Sequence, residues 1–227
     1  KEEINQDCGI KIFGETTRVY PEKSLRIIAR KKYGKNKFQH DFFQLKQNKI
    51  HKHLVFLTSG NDYRGTRFKD VLSAYLVRNL NFDFMDFKPV HLFVNAKYWG
   101  VYNLREKINE HYLKYNYKVD KDSVSIMMGR WVRQHGRSRD FLTMYNWFHR
   151  INKIDSVAYI KANNFLDIKN YINYRIFQLY INNLDSRGNI RYWNSFSKNS
   201  NSKFKMILYD TDQAYGSFYN RNFLEHS

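Results

Sequence analysis

Between residues 166 and 216, a long apolar helical pattern is followed by two strand patterns, and aspartates stand where apolar runs end. The helix leads into NNLDSRGN, with Asp185 and Asn189, and the second strand leads into ILYDTDQ, with Asp210 and Asp212. Aspartate and asparagine are ordinary turn residues. Carboxylates that follow neighbouring apolar strands can also hold a divalent cation beside a phosphate. For either segment alone both interpretations are open, and the ordered pair favours the second.

The amino-acid composition limits the classes of protein to which this chain can belong. The 227 residues are enough to bury a core, as one large domain or two small ones. Hydrophobic residues make up 42% and aromatic residues 18%, which excludes a disordered tail although the mean hydropathy is −0.71. The net charge of +18 attracts nucleotides, nucleic acids, acidic lipids and acidic proteins alike, and by itself it selects none of them.

Other classes are excluded by what the sequence lacks. Cys8 is the single cysteine, so the chain has no intrachain disulfide and no cysteine-based zinc motif. No apolar run reaches the roughly 20 residues of a membrane span. The first residues, KEEINQDCG, have no signal-peptide core, and targeting segments are expected to lie outside this chain. The eight histidines include no ligand-like pair, and the sequence contains no GxSxG or Walker A motif.

The two parts of the chain carry different patterns. Residues 1–110 predict several strands, one helix with apolar residues at helical spacing from Phe68 to Leu80, and a hairpin with Asn95-Ala96-Lys97 at its tip. Residues 111–227 predict mainly helices and a late hairpin. The longest predicted helix is expected to bury one face, made of Ile168, Tyr171, Ile172, Ile176, Leu179 and Tyr180. The sequence therefore predicts an α+β fold with a β-rich lobe followed by a helical lobe.

The order of the late acids matches the needs of phosphoryl transfer. In such chemistry one carboxylate orients the attacking hydroxyl, while an asparagine and a second carboxylate hold magnesium against the phosphates. Asp185, Asn189 and Asp210 occur in this order, with a predicted hairpin between the last two. A metal-dependent glycosyltransferase would also use Asp210 and Asp212 as a D-x-D motif, but it assigns no role to the first two residues.

Lys23 is a candidate for binding phosphate. An alternating pattern from Lys23 to Arg30 places Lys23 on the same face of a predicted strand as Leu25 and Ile27. A lysine on a buried face is costly unless it is paired or bound to an anion. The alternative is that Lys23 only begins the strand at its exposed end. The preceding turn GETTR, which contains Gly14, is a candidate loop for covering phosphates.

Three other acids rank below the late aspartates. Glu106 lies where a strand pattern runs into a helix pattern, and a glutamate in the first turn of a helix is a common cap. Asp62 and Asp70 flank the start of the first predicted helix, and either could pair with Lys23.

Four segments together resemble one family. GETTRVYPEKSLRI, FVNAKYWGVYNLREKINEHYL, YINNLDSRGNIRYW and MILYDTDQAYG occur in the order seen in the CotH kinase family, named for spore coat protein H, and the resemblance covers about residues 9–218. It implies a secreted or surface-associated atypical protein kinase with a divergent two-lobed, protein-kinase-like fold. Residues 1–110 would be the N-lobe with the hinge, and residues 111–227 the C-lobe. The expected ligands are ATP, Mg²⁺ or Mn²⁺, and a protein partner with Ser or Thr acceptors; nucleic acid is not expected.

The resemblance also implies residue roles. Asp185 matches the catalytic-loop aspartate, Asn189 the metal-binding asparagine, and Asp210 the metal-binding aspartate. Asp212 completes the D-x-D and binds the metal or orients the loop. The remaining implied nucleotide contacts are the phosphate lysine Lys23, the loop residues Gly14 and Arg18, and the hinge residues Tyr102, Leu104 and Glu106.

The sequence departs from the family pattern at three places. Asn95-Ala96 replaces the usual Asn-Gly turn, GETT replaces a Gly-Asn-Ser type of loop, and the chain ends soon after DTDQAYG. A basic adhesion or polyanion-binding module on a kinase-like fold is the alternative that is not an enzyme. Binding that weakens with salt and no turnover of ATP would favour that alternative.

Overall fold

The computed structural model describes residues 3–129, 132–183, 185–197 and 203–216. These residues form twelve strands and six α-helices in a mixed α/β arrangement. The strands are β1 (Gly9–Ile12), β2 (Leu25–Ile28), β3 (Phe38–Gln39), β4 (Ile50–His51), β5 (His53–Leu57), β6 (Asp83–Phe84), β7 (Phe87–Val94), β8 (Lys97–Glu106), β9 (Val124–Met128), β10 (Val132–His135), β11 (Arg191–Ser195) and β12 (Lys205–Leu208). The helices are α1 (Lys69–Leu76), α2 (Glu110–Tyr117), α3 (Arg139–Arg150), α4 (Ser156–Phe165), α5 (Ile168–Tyr180) and α6 (Ser186–Asn189). Within the described residues, no helix combines the length and apolarity needed to cross a membrane.

The first sheet has the order β1-β2-β5-β8-β7, and all of its neighbouring strands are antiparallel. The predicted hairpin is the pair β7–β8, and its two-residue turn is Asn95-Ala96, with φ of 51° and 60°. Two consecutive residues with positive φ are the signature of a type I′ turn, whose twist matches that of the flanking strands. The hairpin prediction is therefore confirmed.

One face of the first sheet is covered by the small β3–β4 hairpin. The side chains between them form an apolar core that includes Ala29, Phe38, Phe43, Leu54 and Leu104. The opposite face of the sheet faces α1, as shown by the ion pair between Arg105 on β8 and Asp70 on α1. On the central strand β8, Leu104 therefore belongs to the apolar core, while its neighbour Arg105 belongs to the opposite face.

The second sheet has the order β10-β9-β11-β12-β6, with β6 parallel to β12 and the other pairs antiparallel. The predicted late hairpin is the pair β11–β12. Strand β6 lies early in the chain, yet it joins this later sheet. The second sheet therefore contains a strand from before residue 110. The division of the chain into two lobes at this residue stays a prediction.

Helix α5 exists where it was predicted, but its predicted buried face is wrong. Ile172, Ile176 and Tyr180 are 48%, 60% and 76% exposed. The buried residues of α5 are Asn170, Tyr174, Phe177 and Gln178. Asn170 explains the rotation, because its amide donates to Asn81 O at 2.6 Å and its oxygen accepts from Met206 N of β12 at 2.7 Å. Polar anchors therefore override the apolar periodicity that suggested the opposite face.

Candidate active site

Asp185 and Asn189 are one helical turn apart at the end of the α5 segment. Asp185 stands directly before α6, and the Asn189 side-chain amide donates to Asp185 Oδ2 at 2.9 Å. Asp185 itself lies in the connection between α5 and α6, and Ser186–Asn189 is helical. Residues four apart share one face of a helix, so this single turn is what brings the two side chains together. The side-chain oxygen of Asn189 remains as an acceptor.

The second aspartate segment follows β12 and meets the first. Asp210 leaves the strand in a left-handed conformation with φ of 56°. Gln213 Nε2 then donates to Asp185 Oδ2 at 3.0 Å. The meeting follows from the sheet, because β11 begins just after Asn189, β12 ends just before Asp210, and the two strands are antiparallel neighbours. Both acidic segments therefore lie at one edge of the second sheet.

Asp212 is held by the turn that precedes α1. The backbone N–H of Asn61 donates to Asp212 Oδ2 at 2.7 Å, and the Asn61 side-chain amide donates to Oδ1 at 3.2 Å. Gly60 has φ of 55°, and a Cβ at this position would overlap Asp212 Oδ2. Only glycine permits so close an approach of the turn at this φ. Both oxygens of Asp212 are thus engaged by donors, which fits a carboxylate that orients its loop.

Asp70 ranked below the late aspartates as a candidate site residue, yet it contacts the middle of the D-x-D segment. Its Oδ1 accepts from the backbone N–H of Thr211 at 3.1 Å and from the Thr211 hydroxyl at 2.9 Å. Its Oδ2 forms an ion pair with Arg105 Nη1, and Arg105 Nη2 donates to Met85 O at 2.8 Å. The only sequence signal was the position of Asp70 at the start of α1, and nothing local pointed to a partner 141 residues away.

The carboxylates of this site repel one another. Burial raises the pKa of Asp210 well above its usual range, and the carboxylates of Asp212, Asp70 and Asp185 raise it further, while Arg191 opposes the shift. No described residue donates a hydrogen bond to the Asp210 carboxylate. A bound cation would relieve this repulsion, because an opposite charge favours the ionised form of a carboxylate.

The described residues contain no group of three acidic, histidine or cysteine side chains arranged to hold a metal ion. The hydrogen bonds distinguish the three late carboxylates. Asn189 and Gln213 engage Asp185, and Asn61 engages Asp212, so Asp210 is the carboxylate left without a donor. A metal could therefore use Asp210, and the side-chain oxygen of Asn189 is of a type that Mg²⁺ accepts; these roles stay a prediction.

Lys23 lies before β2 rather than inside it. The strand begins at Leu25, so the prediction that the strand starts at Lys23 is wrong. The Lys23 ammonium donates to the backbone oxygens of Arg18 and Tyr20, each at 2.6 Å. These two carbonyls belong to the turn that precedes the strand, and they take up two of the three N–H groups. The role of Lys23 toward a phosphate stays a prediction, and one N–H group would be left for it.

Gly14 and Arg18 belong to the turn between β1 and β2. Gly14 has φ of 110°, and a Cβ there would overlap Thr17 Oγ1, so this turn requires glycine. Arg18 is exposed. Burial lowers the pKa of Arg191, and Glu15 of the same turn is among the groups that oppose this shift. The turn therefore lies near the edge that carries the acids, and its contacts with a phosphate stay a prediction.

The three hinge candidates point away from the acids. Tyr102, Leu104 and Glu106 alternate along β8 and share one face, opposite to Arg105. Leu104 belongs to the apolar core under the β3–β4 hairpin, and the Tyr102 hydroxyl donates to Lys23 O at 3.2 Å. Because these side chains are used inside the protein, contact with adenine would come from the backbone of the segment, and it stays a prediction.

Glu106 is part of a buried ionic cluster that the sequence did not reveal. The Lys46 ammonium lies 3.1 Å from Glu106 Oε2 and 2.8 Å from Asp83 Oδ1. It also donates to Phe84 O and to the Tyr112 hydroxyl. The cluster joins the loop between β3 and β4 to β6 and α2. Lys46 stands in an irregular polar stretch, so no periodicity marked it.

Comparison with known proteins identifies the family. The profile described as CotH kinase protein matches residues 10–226, which is nearly the whole chain. Among curated proteins no match is found. The family assignment agrees with the order of the four quoted segments and with the meeting of the Asp185 and Asp210 segments. The chain belongs to the CotH kinase family.

Proposed function

We propose that this chain is an atypical protein kinase that transfers the γ-phosphate of ATP to Ser or Thr of a protein partner. The proposal includes a divergent two-lobed arrangement, with the nucleotide between the first sheet and the acidic edge of the second. The observation that carries it is the Gln213–Asp185 hydrogen bond of 3.0 Å, because it joins the segment of the acceptor-orienting acid to the D-x-D segment. Membership of a kinase family supports the same reaction class.

In this reaction the acceptor hydroxyl oxygen forms a bond to the γ-phosphorus as the bond to the bridging oxygen breaks. The electron pair of that bond leaves with ADP. Asp185 orients the hydroxyl and accepts its proton. Asn189 and Gln213 both donate to Asp185 Oδ2, which fixes the carboxylate and leaves Oδ1 to face the acceptor. Such positioning is the main contribution that a protein makes to phosphoryl transfer.

Asp210 and Asn189 would hold the divalent cation. Asp212 would orient its own loop through its hydrogen bonds to the turn before α1. When bound, Mg²⁺ or Mn²⁺ neutralises the charge of the phosphates. The residues fit such an ion, because burial and three neighbouring carboxylates raise the pKa of Asp210 and no described donor satisfies it. Asn189 donates through its nitrogen, so its oxygen remains for the cation.

The test is transfer of labelled γ-phosphate to protein, with Mg²⁺ or Mn²⁺, for the parent and for Asp185→Asn and Asp210→Asn. Self-labelling and added Ser-rich acceptors are both assayed. We expect each substitution to lower the rate at least a hundredfold, the scale of losing a positioned catalytic group. Asp122→Asn is the matched control, because Asp122 is exposed and, among the described residues, pairs only with its neighbour Lys121 at 2.6 Å.

Two outcomes contradict the proposal. Absence of transfer together with absence of nucleotide binding would favour the basic binding module, whose affinity for polyanions falls steeply with salt. Hydrolysis of a sugar nucleotide that depends on Asp210 but not on Asp185 would favour the glycosyltransferase. The contact between these two segments argues against the second outcome, since a D-x-D motif alone has no use for Asp185.

A further inference from the structure

Three cationic side chains from distant parts of the chain lie together beside the acidic edge. They are Arg26 on β2, Lys107 just after β8, and Arg191 at the start of β11. Burial lowers the pKa of Lys107 to about 8, and the next causes are the positive charges of Arg26 and Arg191. Arg26 is paired through Val55 with Arg105, two residues before Lys107, so Arg26 and Lys107 lie toward the same face of the first sheet. Lys107 therefore lies close enough to both guanidinium groups to be repelled by each, although Arg191 comes from the second sheet.

These cations have no carboxylate partner among the described residues. None of the three lies within 4.0 Å of an acidic oxygen there, whereas the buried Arg105 and the largely buried Lys46 both do. Tyr209 is the first group that opposes the lowering of the Arg191 pKa, followed by Asp210 and Glu15, and Glu110 opposes the lowering of the Lys107 pKa. Buried charges in proteins are normally paired, so the buried Arg191, with the half-buried Arg26 and Lys107 beside it, is an exception that needs a reason.

Unused hydrogen-bond donors point to a missing anion. Arg191 is only 6% exposed, and its Nη1 is buried without a partner among the described residues. Arg26 is half-buried, and its Nε is likewise buried without a hydrogen-bond partner among the described residues. A buried donor left without an acceptor is costly. The structure thus contains both the positive charge and the free N–H groups of an anion-binding site.

Aromatic rings hold two of the cations in place. The Arg191 guanidinium lies 3.9 Å from the centre of the Tyr209 ring, and the Lys107 ammonium lies 5.1 Å from the centre of the Phe13 ring. The ring faces attract cations without neutralising them. Tyr209 directly precedes Asp210, so the site begins next to the proposed cation ligand and continues toward β2.

The register of the first sheet places a further cation beside Arg26. Lys11 of β1 is paired with Arg26 of β2, so both side chains are on the same face. Lys11 is exposed and is among the charges that lower the pKa of Lys107, after burial, Arg26 and Arg191. The positive surface therefore extends outward from Arg191 over several side chains, which is more than one small anion needs.

We propose that Arg26, Lys107 and Arg191 form a binding site for a chain of linked phosphates, and that this site binds the chain without a divalent cation. Guanidinium groups present paired N–H donors that match phosphate oxygens. Linked phosphates would place one anionic group near each cation, which a single carboxylate cannot do. The nucleotide as the source of the phosphates rests on the proposed function, whereas the site itself does not.

The experiment is calorimetric titration of tripolyphosphate in the presence of a chelator, at fixed ionic strength. We expect Arg26→Met and Lys107→Met each to weaken binding at least tenfold. Lys97→Met is the control, because it removes the same charge from the opposite end of β8, roughly 30 Å away at 3.3 Å per residue. Arg191 is not substituted in this test, because its stacking on Tyr209 makes it part of the packing.

The outcomes separate this inference from the proposed function. Equal weakening by Lys97→Met and Lys107→Met, or binding that requires a divalent cation, overturns the inference even when phosphate transfer is observed. Selective weakening supports it even when no transfer occurs. In a second arm, ADP that displaces tripolyphosphate identifies a nucleotide as the ligand. Tripolyphosphate that resists ADP supports the same site with free polyphosphate as the ligand.

Discussion

Asp70 accepts hydrogen bonds from both the backbone N–H and the hydroxyl of Thr211, at 3.1 and 2.9 Å. Thr211 separates the two acids of the D-x-D motif, and Asp70 also pairs with Arg105, whose side chain is only 2% exposed. One carboxylate on α1 therefore ties the first sheet to the loop that carries Asp210. The geometry of the acidic edge depends on this helix.

Asp70→Asn is expected to destabilise the protein by about 3 kcal/mol or more, because it leaves the buried charge of Arg105 without its partner. We also expect phosphate transfer to fall at least tenfold, since the loop around Thr211 loses its support. Urea unfolding and the transfer rate measure the two effects. Thr211→Val removes only the hydroxyl bond and should cost about 1 kcal/mol. Equal effects of the two substitutions would contradict the central role of Asp70.

Lys46→Met is expected to destabilise the protein by about 3–5 kcal/mol, because Asp83 and Glu106 would remain buried without a cation. Glu106 is 1% exposed and Asp83 is 7% exposed, so water cannot replace the ammonium. Lys49→Met is the control, since Lys49 pairs with Asp41 at the surface and should change stability by under about 0.5 kcal/mol. Chemical denaturation measures the stability of both variants. Similar unfolding midpoints for Lys46→Met and Lys49→Met would show that the buried cluster is not essential for stability.

Ala96→Gly is expected to stabilise the protein by about 1 kcal/mol, because alanine at φ of 60° is in the left-handed region that glycine adopts freely. The change restores the Asn-Gly turn typical of a type I′ hairpin. Ala162→Gly, in the interior of α4, is the matched control and should destabilise by about 1 kcal/mol. Thermal unfolding of both variants should show shifts of opposite sign. A downward shift for Ala96→Gly would contradict the strain argument.

Local patterns in the sequence predicted much of the framework. The alternation on both sides of Asn95-Ala96 predicted β7–β8, and the long apolar run predicted α5 and the two strands after it. The order of Asp185, Asn189 and Asp210 suggested a common site; the structure brings the Asp185 and Asp210 segments into contact, while the roles of these residues stay a prediction. The hairpin and the helix were found where predicted because the interactions that determine them are near in sequence.

The remaining features depend on partners far away in the chain. Asn61 and Asp212 are 151 residues apart, and Lys46 and Glu106 are 60 apart, so no local pattern relates them. The buried face of α5 is set by Asn170, whose two polar partners outweigh the apolar residues at helical spacing. In each case a polar contact that requires the folded chain decides the position.

Lys107 gives stability a particular dependence on pH. Burial lowers its pKa from 10.5 to about 8, with Arg26 and Arg191 as the next causes. Below about pH 8 the folded and the unfolded chain both carry the proton, and the folded state bears the full cost of the buried charge. Between pH 8 and 10.5 the folded chain has released the proton while the unfolded chain retains it. Stability from this group therefore rises with pH across that range.

Lys107→Met removes this cost, so the ligand-free variant should melt at a higher temperature than the parent at pH 7. The difference between the two melting temperatures should shrink as the pH is raised from 8 to 10. Saturating tripolyphosphate should stabilise the parent more than the variant, because a bound anion compensates the charge. Thermal melts across this pH range, with and without the anion, measure all three effects. A variant that melts lower than the parent at every pH would mean that Lys107 is already satisfied inside the folded chain.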